Sequence, residues 1–340
     1  MKPWISRSTI LVLAFALMSG LIVTEPAIAK EKVYKVQVPS QLPVSHPLTK
    51  AVQIFCDTVN ENGKGRFELT HFPAGQLLTD KEIPKSISKG TVKISLAFLP
   101  WYSGMIPDIY PYAGKVTLTL DHALRLWRGP LLNHFEQRLN EKGNAHIIAP
   151  LLYSFKNGYI TEEPVTKPGD MQGMKIRIPT KVMAVEVEAL GGVPTVMSSA
   201  DVYMSLQRNT IQGATSGLPS IYVRKWYEAA NNIISVKPAP VDFHIIANQK
   251  WFDDLPADLQ QVLMDAGETA SKKCTQMIVE AENKVEAALK AKGVNIYKVS
   301  IEEYNEVYNP IMEPALNAAA VKMFGQEMTD AYNSWVESTR

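Results

Sequence analysis

Two cysteines among 340 residues are too few for a disulfide framework, and Cys56 and Cys274 lie far apart in the chain. They can pair with each other or stand as buried thiols, and buried thiols are the expectation. Charge of one sign is also missing. With residues 1–29 set aside, 33 basic and 33 acidic side chains remain, so nothing suggests a nucleic-acid or anionic-membrane footprint, which needs a basic excess on one face. After the first thirty residues no apolar run is long enough to cross a bilayer. The common catalytic signatures are absent too. The six histidines, His46, His71, His122, His134, His146 and His244, show no H-E-x-x-H spacing, and there is no G-x-S-x-G elbow, Walker A loop or G-x-G-x-x-G turn. Glu162-Glu163 reads as a solvated loop pair. No enzyme activity, cofactor or metal is therefore expected.

What is present starts with an export signal. Lys2 and Arg7 precede an apolar run from Ile10 to Val23, and Ala27-Ile28-Ala29 is a small-x-small cleavage site. That order is the order of a secretory signal peptide cleaved near Ala29. The run is shorter than the roughly 20 residues of a membrane-crossing helix. With 46% hydrophobic and 20% charged residues, the remainder is long enough for one large or two medium domains.

Tyr34 to Val38 alternates as a strand. Pro47 suits a first helical turn, and Leu48, Ala51, Val52, Phe55 and Val59 fall on one helical face until Asn62-Gly63-Lys64-Gly65 stops it. Arg66 to Phe72 is a second strand, and a helix ending at Gly90 has its start shifted or kinked by Pro84. Lys93 to Phe98 is a third strand. This β-α-β-α-β opening implies a mainly parallel sheet covered by helices. Trp101, Tyr102, Tyr110 and Tyr112 then crowd an irregular segment, where Trp101 and Tyr102 are candidate ligand contacts. A helix is expected over Leu124 to Glu141, a strand over His146 to Tyr153, and a polar turn region over Phe155 to Asp170.

From Met171 to Ser220 the β-α-β-α-β pattern repeats, which suggests two lobes with a cleft between them. Helix is expected over Tyr222 to Ala230, strand over Val236 to Asn248, and a helix of about 35 residues from Pro256, long for a globular domain and suited to brace both lobes. Val294 to Val299 is a strand, followed by helices. In Lys175-Ile176-Arg177-Ile178, period two sends both isoleucines to one face and both cations to the other. A solvated strand face is one reading of that. The other aims Arg177 into the cleft as a planar fork for a carboxylate.

The segments "HPLTKAVQIFCDTVNENGKGRFELTHFPAGQL", "GDMQGMKIRIP", "ALGGVPTVMSSADVYMSLQ" and "GLPSIYVRKWYE" resemble, in order, the periplasmic solute-binding proteins of TRAP transporters, the DctP-type family. The resemblance implies an α/β, two-lobed periplasmic-binding-protein-like clamshell with a mainly parallel, helix-covered sheet in each lobe and a long helix spanning both. The expected division is lobe I, residues 30–154 plus 243–282, and lobe II, residues 155–242 plus 283–340. It implies a periplasmic monomer that hands a small organic acid to the membrane subunits of a sodium-coupled transporter. Arg177 matches the arginine that pairs with the ligand carboxylate.

This chain has Ile211-Gln212-Gly213 where that family usually has V-D-G, Ser216 where asparagine is common, and Lys156 or Tyr159 where a second arginine is common. Gln41 and Gln76 are expected to close on the ligand from the first lobe, with Tyr203 nearby. These departures favour a less polar monocarboxylate, aromatic or a keto acid, over a C4-dicarboxylate or sugar acid. A binding component of another transport or sensor system and an exported enzyme are the competing readings.

Overall fold

A computed structural model describes residues 32–111, 113–117, 119–236 and 240–340. The segment read as a signal peptide, together with Tyr112 and Pro238, lies outside the described residues. The strands are β1 (Tyr34–Pro39), β2 (Phe67–Phe72), β3 (Ile94–Ala97), β4 (Ala145–Ser154), β5 (Asn157–Thr161), β6 (Lys175–Ile178), β7 (Val193–Val196), β8 (Gly213–Gly217), β9 (Asn232–Ser235), β10 (Val241–Asn248) and β11 (Asn295–Lys298). The helices are α1 (Pro47–Asn62), α2 (Ile83–Ser88), α3 (Leu120–Trp127), α4 (Pro130–Arg138), α5 (Ala184–Ala189), α6 (Val202–Gln207), α7 (Leu218–Val223), α8 (Gln249–Asp253), α9 (Ala257–Ala291), α10 (Ile301–Glu303), α11 (Asn309–Phe324) and α12 (Gln326–Ser338).

Two groups of strands result. In the first, β1 pairs parallel with β2, and β10 lies between β3 and β4, antiparallel to both. Their apolar faces share one core with Leu48, Val52, Phe55 and Val59 of α1 and the first half of α9. The second group is one six-stranded sheet in the order β11-β9-β5-β8-β6-β7, with cores on its two sides. The sheets are therefore more mixed than expected. β5 runs antiparallel to β8 and β9.

Several boundaries differ from the sequence reading for local reasons. The helix expected over Leu124 to Glu141 is broken at Gly129-Pro130, where proline removes a backbone donor and starts a new helix at its first turn. Pro84 likewise falls in the first turn of α2. β5 occupies part of the expected turn region, and β9 precedes the strand expected from Val236, whose observed start is Val241. β5 and β9 are short and buried, so neither shows the alternation that marks a half-exposed strand.

The long helix α9 spans 35 residues. Leu259, Leu263, Ala266, Ala270, Cys274 and Ile278 enter the first group's core, whereas Leu289 enters a core of the six-stranded sheet. Gly267 lets the helix lie close on β4, since a Cβ there would meet Ile148 Cγ2 at 2.8 Å and Ala149 Cβ at 3.0 Å. Glu282, 2% exposed, ties the helix to the junction of β4 and β5. Its Oε1 accepts from Ser154 Oγ at 2.5 Å and from the Phe155 and Lys156 amides at 2.8 Å each. Cys56 and Cys274 are both free and buried. Further on, α12 places Tyr332 and Val336 against Leu126 and Phe135.

β10 carries an unusual carboxyl group. The strand bulges between Val241 and Asp242, and both Asp242 carboxylate oxygens are buried with no hydrogen-bond partner. Burial pushes its pKa up to about 7, opposed weakly by the charge of Arg128. An acid whose folded-state pKa is raised holds a proton that the unfolded chain has already lost, so stability falls as pH rises from about 4 to about 7. Asp242→Asn is expected to remove that fall. Its stability relative to wild type should improve by about 4 kcal/mol between pH 4 and pH 8, read from urea denaturation at a series of pH values. Parallel pH profiles of the two proteins would sink this expectation.

Candidate ligand-binding cavity

A cavity with a solvent-facing mouth is lined from both strand groups. Arg177 reaches it from β6, Thr215 and Ser216 from β8, Tyr159 from β5, Tyr153 from β4 and Phe243 from β10. Alternation in β10 turns Val241 and Phe243 to the cavity side. Phe98 stacks on Phe243 with ring centroids 5.1 Å apart, and Trp101 meets the same ring edge-on at 5.6 Å. Tyr110 and Trp127 extend this aromatic wall.

The alternation in β6 holds, with Ile176 and Ile178 in the core, Lys175 exposed and Arg177 only 4% exposed. A solvated face is thereby excluded for Arg177. Register places it opposite Thr195 of β7 and Ala214 of β8, so it sits inside the sheet and not at its edge. Its Nε donates to the Met197 carbonyl at 2.8 Å and its Nη1 to the Thr215 carbonyl at 3.3 Å. The guanidinium lies 5.9 Å from the Trp226 ring centroid, within cation–π range. These contacts fix the plane of the fork. Burial pulls its pKa down to about 10, against the opposing fields of Tyr153 and Asp80, so it stays charged at neutral pH.

A second cation lines the same space. Arg224 follows α7, and its Nη2 donates to the Gln41 carbonyl at 3.2 Å. Burial lowers its pKa, and Tyr153 and Asp80 again oppose. Asp80, 9% exposed, accepts from Ser198 Oγ at 3.1 Å and from the Lys81 amide. Tyr153 shares a 2.7 Å hydrogen bond with Ser216 and stacks on His46 at 5.5 Å. His46 caps α1, with Nδ1 accepting from the Leu48 amide at 3.1 Å. Its remaining proton therefore sits on Nε2. Burial, helped by Arg224, depresses its pKa to about 3, which leaves the ring neutral. No group of histidine, cysteine or acidic side chains among the described residues could hold a metal ion.

Of the residues singled out from sequence, Arg177, Trp101, Tyr159 and Ser216 meet at this cavity. Gln41 stands behind it, offering its carbonyl to Arg224. Tyr102 is wholly buried in a neighbouring core, and Gln76 is exposed on its loop. Lys156 turns away to Glu286 and Asn283. Tyr203 pairs with Gln207 and Glu228. Gln212 binds backbone and Asn209 at the start of β8, a structural role that explains its place in a tight crossing. Sequence reasoning missed Arg224, Asp80, Tyr153 and Phe243. Ser220 and Arg224 lie one helical turn apart just after a strand, which is the signal that could have found the second arginine. Asp80 carried none.

A cavity lined from both strand groups, with two buried arginines and a set of packed aromatic rings among its walls, is suited to a small solute. Residues 39–320 match the family model described as bacterial extracellular solute-binding protein, family 7. The chain belongs to that family, the DctP family of TRAP periplasmic solute-binding proteins. It is 26% identical over 278 residues to the C4-dicarboxylate-binding periplasmic protein DctP of Rhodobacter capsulatus, covering 78% of this chain and 81% of that one. It is 23% identical over 266 residues to the sialic acid-binding periplasmic protein SiaP of Vibrio cholerae, with coverage of 77% and 82%. Among solved structures, the sugar acid binding protein DctPAm of Advenella mimigardefordensis in complex with galactonate superposes with a TM-score of 0.83 at 18% identity, covering 91% of this chain and 99% of that chain. A TRAP periplasmic solute binding protein of Desulfovibrio salexigens with bound orotic acid gives 0.80 at 17%, with coverage of 90% and 100%. The fold is accordingly the two-lobed α/β clamshell of those proteins.

Proposed function

We propose that this chain is exported by its N-terminal signal segment and serves as the periplasmic capture subunit of a sodium-coupled TRAP transporter. Its ligand is a small organic acid, held by a salt bridge from Arg177 and handed to the membrane subunits. The observation that carries this reading is Arg177 itself, a buried guanidinium whose plane is set by two carbonyls and a tryptophan at the cavity wall. The division expected from sequence makes residues 30–154 plus 243–282 one lobe and 155–242 plus 283–340 the other. A ligand bridging them shifts the population toward the closed form. The Ser198–Asp80 and Arg224–Gln41 hydrogen bonds are then contacts of closure.

The aromatic wall favours a monocarboxylate with an apolar body, an aromatic acid or a keto acid. A second reading, a C4-dicarboxylate or sugar acid, draws on the relatives named for those ligands. A thermal-shift screen of organic acids separates the two, because a ligand bound only by the folded state raises the melting temperature. Aromatic and 2-oxo monocarboxylates are expected to give the largest shifts. Shifts confined to succinate or galactonate would move the assignment to the second reading, and no shift with any acid would remove the carboxylate reading.

A further inference from the structure

Arg224 Nε and Ser220 Oγ form a pair of buried donors that the fold itself does not use, while Arg224 Nη2 is given to the Gln41 carbonyl. Both line the cavity of Arg177. Ser220 is 1% exposed, and its Oγ, like Arg224 Nε, has no hydrogen-bond partner. A buried donor left without an acceptor is costly to the folded protein, and two of them one turn apart in one cavity wall point to an acceptor supplied from outside. The charge balance says what kind. Arg177 and Arg224 contribute two positive charges, Asp80 lies close enough to act on both, and Asp201 acts on Arg177. Glu186 lines the same cavity and accepts from the Tyr159 hydroxyl, and the neighbouring His46 is neutral. With two carboxylates already facing the two guanidinium groups, a ligand with one carboxylate is tolerated at a lower electrostatic cost than a ligand with two.

We propose that Arg224, with Ser220, is a second ligand-binding group that takes a neutral oxygen beside the carboxylate held by Arg177. Asp80 is the group that rejects a second carboxylate. The ligand class is then a 2-oxo or 2-hydroxy monocarboxylate whose apolar, ring-sized body lies along Phe98, Trp101 and Phe243. This rests on the reading of the cavity as an organic-acid site and narrows it.

Calorimetry with four probes of similar body tests both levels separately: phenylpyruvate, 3-phenyllactate, 3-phenylpropanoate and phenylsuccinate. The wild type is expected to bind one of the two oxygen-bearing acids roughly 10- to 100-fold more tightly than 3-phenylpropanoate. Arg224→Met removes a contact of closure and so weakens all four acids, but it should abolish that preference by weakening the favoured acid roughly 10- to 100-fold more than 3-phenylpropanoate. Ser220→Ala, a smaller change, should reduce the preference in the same direction. Asp80→Asn should raise affinity for phenylsuccinate relative to phenylpyruvate. Equal wild-type affinities for phenylpyruvate, 3-phenyllactate and 3-phenylpropanoate would overturn the role of Arg224, as would a preference surviving in Arg224→Met. If Arg177→Ala left 3-phenylpropanoate binding intact, or if the wild type bound none of the four, the acid site itself would fall and this assignment with it.

Discussion

Arg177→Ala is expected to weaken acid binding by roughly 30- to 3000-fold, equivalent to about 2–5 kcal/mol. On the proposed reading the substitution removes the charge that pairs with the carboxylate, and the ligand anion is then held without its partner. It also frees the carbonyls of Met197 and Thr215, which now accept from the guanidinium, so some loss of melting temperature accompanies the loss of affinity. Arg177→Lys separates charge from geometry. A lysine ammonium is a point charge and cannot hold both carbonyls while presenting a flat two-donor edge, so it should bind only slightly better than the alanine variant. Isothermal calorimetry on folded variants decides the matter. Affinity unchanged in Arg177→Ala would falsify the assignment of Arg177 to the ligand.

The second large effect is on stability. Glu282→Ala should lower the unfolding free energy by about 3–5 kcal/mol, because one carboxylate oxygen serves three donors at once. The Phe155 and Lys156 amides and the Ser154 hydroxyl all sit where the chain passes from β4 to β5. Without Glu282 the two amides face the side of α9 with no acceptor, and the Ser154 hydroxyl keeps only the Lys156 carbonyl at 3.1 Å. Glu282→Gln keeps an oxygen in place but not the charge, so its loss should be smaller, about 1–2 kcal/mol. Urea denaturation of the two variants orders them. A loss under about 1 kcal/mol in the alanine variant would mean that water replaces the carboxylate and that the junction does not depend on it.

The fold was legible in the sequence wherever a pattern was local. The face of α1, its proline start and glycine stop, the alternation of β6 and the length of α9 all rest on neighbours within one element. β5 and β9 were not legible, since burial on both sides erases alternation and leaves only a short apolar stretch between turn residues. The site divided in the same way. Strand pattern gave Arg177 a direction away from Ile176 and Ile178, but not what lay there, and the resemblance to a carboxylate-binding family supplied that. Gln212 and Ser216 were marked by their departure from a motif, yet only Ser216 reaches the cavity, because a side chain at a strand start can satisfy backbone instead of ligand. Asp80 and Tyr153 are brought to Arg177 by long-range packing that no spacing in the chain encodes.

Trp101 and Trp127 stand in the cavity wall, and Trp226, buried in the core behind it, lies against Arg177. An indole beside a cation emits according to the local field and to water access, and both change when an anion enters. The protein thus carries an intrinsic optical reporter of its own occupancy. Titrations of unlabelled protein can be followed by emission, and replacing Trp226 alone would divide the signal between the charged end of the ligand and its body.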